Sequence, residues 1–296
     1  MPVPSRVLRI IGAAAVALAV GLGLGGCSVV RIAYNQAPDA AYWWLDGYFD
    51  FNEPQTLRLR ADLAQAHDWH RQTQLPAYAD LLKDLQRRAP DNLSPAQACE
   101  VFTQVRQRLV MISDRLEPTV VALAPQFTPA QLAHLEQQLE KRNREWRKEW
   151  LEGTPQERAQ RRFKSVVERA EMFYGTLEDA QRAVVRASIA ASRFDAATTY
   201  RDTLRRQQDA LQTLRALTRN GTPAEIHVKA EMRALFERSL NPPDPAMREY
   251  IEAITRDGCE ATARLHNSTT PQQRANAVAR LKSYEDDLRV LAAQGR

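Results

Sequence analysis

The sequence predicts an all-α protein, a multi-helix bundle or an array of antiparallel helical hairpins. Three observations point there. Apolar residues recur every three or four positions, and almost no segment alternates with period two. Glycine is scarce, 11 in 296 residues, while Ala, Leu, Gln, Arg and Glu are plentiful. Five segments share one helix-start pattern: Ser94-Pro95-Ala96-Gln97, Thr128-Pro129-Ala130-Gln131, Thr154-Pro155-Gln156-Glu157, Thr222-Pro223-Ala224-Glu225 and Thr270-Pro271-Gln272-Gln273. In each, the hydroxyl caps an orphan backbone N–H and the Gln or Glu reaches back to the cap's own N–H. Proline is tolerated at the first helical position because its missing donor had no partner there. Thr176-Leu177-Glu178-Asp179 is a looser version.

The N-terminus is read separately. Arg6 and Arg9 precede an uncharged apolar run from Ile10 to Leu24, and small residues follow. That order marks a secretory signal. The run is short for a membrane span, which takes about 20 apolar residues. Leu24-Gly25-Gly26-Cys27 resembles the lipobox of bacterial lipoproteins. The resemblance implies cleavage before Cys27, diacylglycerol on its thiol and acylation of the new amine. Stable attachment takes more than one chain, a condition a triacylated cysteine meets. Ser28 in place of Asp points, by the enteric sorting rule, to the outer membrane facing the periplasm. The expected organisation is a signal peptide at 1–26, an anchor and tether at 27–38, and a helical body at 39–296.

Within the body the predicted helices are 39–50, 54–73, 76–89, 95–123, 129–151, 155–174, 177–191, 195–219, 223–239, 245–266 and 271–293. Pro118 removes a ladder bond inside the fourth. Asn220-Gly221 and Asn241-Pro242-Pro243 are stops. Short links favour antiparallel neighbours.

Once Cys27 is set aside, Cys99 and Cys259 form an even pair. In an oxidising compartment they are expected to bond. The alternative is two buried thiols. The loop closed would be about 160 residues, worth about 4–5 kcal/mol on loop-entropy grounds.

Tyr42, Trp43, Trp44, Tyr48, Phe49 and Phe51 place six of the chain's 21 aromatics in ten residues. Beside an anchor, they fit a membrane interface or a partner pocket. Packing into the core is the simpler account. Asp39, Asp46 and Asp50 argue against deep insertion into an anionic membrane.

Residues 128–174 read as a hairpin, with Leu132, Leu135, Leu139, Trp146 and Trp150 facing Phe163, Val166, Val167, Ala170 and Phe173. Its outer face carries Arg144, Arg147, Lys148, Arg161 and Arg162 among interleaved acids. A solvated face with i,i+4 pairs explains these charges. A surface for acidic or unfolded clients is the sharper reading.

Chemistry is not apparent. Removing residues 1–26 leaves 39 basic and 36 acidic residues, a net charge of +3, too mild to point to nucleic acid. His67 and His70 share a helix face, but no third ligand is near in sequence, so no metal site is expected. Phosphate-cradling glycine loops and hydrolase or zinc-protease signatures do not occur. The expectation is a non-enzymatic protein without a cofactor.

Two family resemblances follow. Cys27-Ser28, Tyr34-Asn35, Trp44-Leu45-Asp46, Tyr48-Phe49-Asp50, Trp69-His70-Arg71, Leu75-Pro76 and Tyr78-Ala79 resemble a proteobacterial lipoprotein family known only as a domain of unknown function. It implies location and helical character. Leu93-Ser94-Pro95-Ala96-Gln97, Phe127-Thr128-Pro129-Ala130-Gln131 and Thr269-Thr270-Pro271-Gln272-Gln273 resemble the Leu-Thr-x-x-Gln motif of Spy- and CpxP-type periplasmic chaperones. That implies a helical body holding unfolded clients without ATP, although capping alone explains the same residues. The other reading is an assembly lipoprotein docking one specific envelope partner through 42–51.

Overall fold

In the computed structural model the described residues are 26–219, 221 and 223–294, with side chains from residue 29 onward. The export signal, the Cys27 side chain and the Thr222 cap lie outside them. Among the described residues the fold is all-α and holds no strand.

The helices are α1 (Gly26–Asn35), α2 (Ala37–Phe49), α3 (Glu53–Trp69), α4 (Leu75–Arg88), α5 (Pro95–Leu123) and α6 (Pro129–Trp150). They continue as α7 (Pro155–Tyr174), α8 (Asp179–Ala191), α9 (Ala196–Arg219), α10 (Glu225–Leu240), α11 (Pro245–Asn267) and α12 (Pro271–Ala293). Capping boxes at Ser94, Thr128, Thr154 and Thr270 start α5, α6, α7 and α12 as predicted.

Four starts or links differ from expectation. The stretch taken as a tether is helix α1. The break expected near residue 75 is a π turn, His70–Gln74, joining α3 to α4 without interruption. There the Leu75 N–H reaches His70 O, an i→i−5 bond, just before Pro76 withholds its donor. Helix α8 starts at Asp179 with Glu178 as cap, because Gln181 completes the box from there and not from Thr176. Helix α10 starts at Glu225, with Ala224 in the cap position.

Neighbouring helices run antiparallel, and polar contacts fix their register. Asp62 pairs with Thr119 and Gln74 with Arg108, setting α3 against α5. Glu117 meets Arg233 while Arg106 meets Leu240 O, setting α5 against α10. Arg215–Glu136 and Gln207–Asn143 set α9 against α6. Asp80–Arg289 and Gln86–Glu285 set α4 against α12.

Two cores result. The first joins Tyr42, Leu59, Leu63, Val121, Leu123, Phe127, Leu132, Leu135, Leu211, Leu214, Leu217 and Val228. The second gathers Phe163 and Val167 of α7, Leu177, and Val185 of α8, with Leu265 of α11 against them. Each fully buried Leu or Phe contributes about 1.5–3 kcal/mol. Helices α4 and α12 pack against each other with Leu75, Ala79 and Leu291 buried. Helix α5, about 44 Å at 1.5 Å per residue, spans both regions. Its start is bonded to α11 through Cys99–Cys259, with Cα atoms 5.2 Å apart, and its end enters the first core.

The expected 128–174 hairpin is corrected. Leu132 and Leu135 face the first core, while Phe163 and Val167 face the second. Helix α9 lies along α6 where the hairpin partner was expected, and Trp146 stacks on Tyr200 at 5.3 Å. Gly153, at φ 87°, turns the chain toward the second core.

Candidate functional site

The aromatic segment divides by face. Helix α2 ends at Asp50, a non-glycine residue at φ 50°. Tyr42 is buried, its hydroxyl 3.2 Å from Thr56 Oγ1 and its ring under the Arg60 guanidinium at 3.8 Å. Phe49 stacks on Phe127 at 4.8 Å and on Phe51 at 5.5 Å. Tyr48 is half-buried, its ring 5.1 Å from that of Trp44. The adjacent Trp43 and Trp44 are 63% and 64% exposed, and Leu57 on α3 is 65% exposed. Leu57 lies one turn before Arg60, whose guanidinium also reaches the Trp43 ring at 5.4 Å. The nearby acids are engaged: Asp39 pairs with Arg60 at 2.8 Å, and Asp46 accepts from the Phe51 N–H. Exposed Trp43 and Trp44 thus sit beside an Arg60–Asp39 ion pair.

The predicted cationic face does not form one surface. Arg144 pairs with Glu140 at 3.6 Å, and Arg147 with Glu140 at 3.3 Å and the Tyr200 hydroxyl at 2.6 Å. Lys148 is exposed. Arg161 donates to Glu152 O. Arg162 turns away, its guanidinium 4.7 Å from the Phe194 ring.

His67 and His70 both address α1. His67 Nε2 donates to Tyr34 O at 3.0 Å, and the Tyr34 hydroxyl is hydrogen-bonded to His70 Nδ1 at 2.9 Å. Burial pulls both imidazoles below the usual histidine range and pushes Tyr34 up to about 12. Arg71 adds bonds to Asn35 Oδ1 and Leu291 O, and Arg31 meets the buried Asp287 at 2.9 Å. The pair of histidines is a docking point for α1, a role that helical spacing alone does not reveal.

The glutamines of the Leu-Thr-x-x-Gln-like segments separate into two kinds. Gln131 accepts from the Thr128 N–H, and its amide donates to Gln55 Oε1 at 2.7 Å and Asp50 O at 2.9 Å. Gln55 accepts in turn from the Asn52 N–H and donates to Gln126 O at 3.3 Å. The same arrangement recurs at the other end of the α3–α4 run. Gln181 and Gln273 exchange bonds of 2.6 and 2.9 Å, accept from the Glu178 and Thr270 N–H groups, and donate to Ser268 O and Thr176 O. All four glutamines are buried. Each therefore caps its own helix and locks a second one. Gln97, by contrast, is exposed and only caps. Sequence reasoning found Gln131 and Gln273 as caps but missed their partners, because nothing local marks Gln55 or Gln181 as facing another glutamine.

These features define an all-α protein with paired glutamine clamps and an exposed aromatic patch. Residues 47–234 match DUF6279, a family of unknown function, and the chain belongs to that family. The match spans every residue of the first core except Tyr42. No curated protein and no solved structure matches the chain. Among the described residues no helix is long and apolar enough to cross a membrane.

Proposed function

We propose that this is an exported lipoprotein, acylated at Cys27, that acts without catalysis by docking a protein partner in the cell envelope. The supporting observation is the exposure of Trp43, Trp44 and Leu57 beside aromatics that pack on the first core. Neighbouring aromatics of the same helix are used for the core, so these two tryptophans are left over from folding. Exposed tryptophans at this density suit the centre of a partner interface. Helix α1 begins at Gly26, so an acylated Cys27 on the outer membrane would hold Trp43 and Trp44 near the periplasmic membrane surface.

The test uses the full chain in its native host. Trp43→Ala with Trp44→Ala is expected to abolish a photo-crosslinked partner band while leaving the helical circular dichroism and melting temperature unchanged. An unchanged crosslink pattern sinks the docking reading. Cys27→Ser is expected to lose the acyl mass that the wild-type protein carries; a wild-type mature protein whose mass shows no acyl groups overturns the lipoprotein reading separately.

A chaperone-like variant of this reading has its own support. Phe102, Val105 and Leu109 form an exposed apolar stripe on α5 at i, i+3 and i+7 spacing. Suppression of client aggregation without nucleotide, lost on Leu109→Gln, would favour it.

A further inference from the structure

We propose that the cavity where α6, α7, α8 and α9 meet binds a small amphipathic anion, a carboxylate or phosphate head on an aromatic or apolar body. The cavity measures about 610 Å³, within the range of sites for small molecules. Trp150, Phe163, Ile189 and Phe194 give it an apolar lining. Trp150 and Phe194 meet edge to face at 6.2 Å, leaving ring surface toward the space.

The charges of its wall carry the argument. Arg158, Arg162 and Arg186 all line it. Arg158 is committed, donating to Leu151 O and Gly153 O and so closing the end of α6. Arg162 and Arg186 are not. Their guanidinium groups lie against the rings of Phe194 at 4.7 Å and Phe163 at 4.4 Å, and among the described residues neither makes an ion pair or hydrogen bond. Elsewhere arginines in this protein meet carboxylates repeatedly, as at Arg193–Asp257, Arg205–Asp202 and Arg238–Asp209. The one acid of the lining, Asp195, turns an oxygen to the Thr198 N–H at the start of α9.

Arg162 is the sharper case because it is half-buried. Taking a guanidinium from water without a counter-charge is unfavourable, and burial pulls Arg162 below the usual arginine range, with Tyr250 offsetting only part of this. An anion bound in the cavity would offer these lining guanidiniums the missing charge-assisted bonds. The half-buried Trp150 and Phe194 of the lining give an apolar body a surface to pack on. Free phosphate or acetate would satisfy the charge alone, and an uncharged aromatic the rings alone. The combination selects the amphipathic anion.

The experiment titrates the full chain with 4-phenylbutanoate and, separately, phenyl phosphate, reading the tryptophan fluorescence difference between wild type and Trp150→Phe. Acetate, inorganic phosphate and 4-phenylbutan-1-ol are the controls. Saturable binding of either aromatic anion is expected, at least tenfold tighter than its head group or the alcohol. Which anion binds tighter assigns the head group. Arg186→Gln, an exposed position, is expected to weaken binding about tenfold with the circular dichroism unchanged. Arg162→Gln should weaken it further. Equal binding of the alcohol, equal binding of the bare head group, no saturation by either anion, or an Arg186→Gln variant that binds as wild type overturns the proposal.

Discussion

At the scale of single residues, the buried glutamines decide more than any charged side chain. Gln131 serves its own helix start and a second helix at once. Gln131→Ala therefore removes the bonds to Gln55 Oε1 and Asp50 O and leaves the Thr128 N–H without its side-chain acceptor. An unsatisfied buried group costs about 1–3 kcal/mol, so a loss of about 2–4 kcal/mol in urea unfolding is expected. Gln97→Ala removes a cap contact in water and should cost less than about 1 kcal/mol. Equal losses for the two would refute the clamp. His266 gives a second residue-scale prediction. It is buried, with Tyr174 donating to Nδ1 and Nε2 donating to Asp91 O, an arrangement for the neutral ring. Burial holds it below the usual histidine range, as it does His67 and His70. The unfolded chain thus takes up these protons first. Stability should be level above about pH 6.5 and fall as pH drops below it. Urea midpoints at pH 7.5, 6.5 and 5.5 check this, and His266→Gln should flatten part of the decline.

At the scale of elements, α1 is the least expected and the most polar in its attachment. Arg31 reaches Asp287, a carboxylate only 2% exposed whose second oxygen has no partner. Burial pushes Asp287 above the usual carboxylate range, and Arg31 holds it down. Arg31→Ala should open α1 locally, lowering hydrogen-exchange protection of residues 29–35 about tenfold or more. Asp287→Asn in that background should restore much of it; failure of the rescue would mean that packing, not the ion pair, holds the helix. Most helix starts were legible in the sequence because capping is local: Ser94, Thr128, Thr154 and Thr270 need only their own N3 residue. Helix α1 was not legible, since its partners, Asp287, His70 and Arg71, lie 36 to 256 residues away.

At the scale of the whole molecule, the antiparallel array was legible as a class, but not which helices pair. The apolar stripes of α6 and α7 suggested facing one another. They bury against different cores because α9 offers α6 a longer match through Asn143, Tyr200 and Arg215. Likewise the density of aromatics at 42–51 was visible, while the division into packed Tyr42 and Phe49 and exposed Trp43 and Trp44 needed the helix placed on Phe127 and Arg60. The α3–α4 run, continuous from residue 53 to 88, extends roughly 50 Å at helical rise. A radius of gyration above the roughly 19 Å of a compact chain this size is therefore expected in solution scattering. A value at the compact limit would contradict the extended arrangement of the two cores.

The seating of α1 has a mechanical consequence. A pull on the N-terminus meets Arg31–Asp287, Tyr34–His70 and Asn35–Arg71 before it reaches Tyr42 and the first core. These contacts are few, polar and placed along one short helix, so they yield while both cores stay intact. Under load the protein would lengthen by paying out α1, about 2 Å per residue from helix to extended chain, and recover when the tension is released.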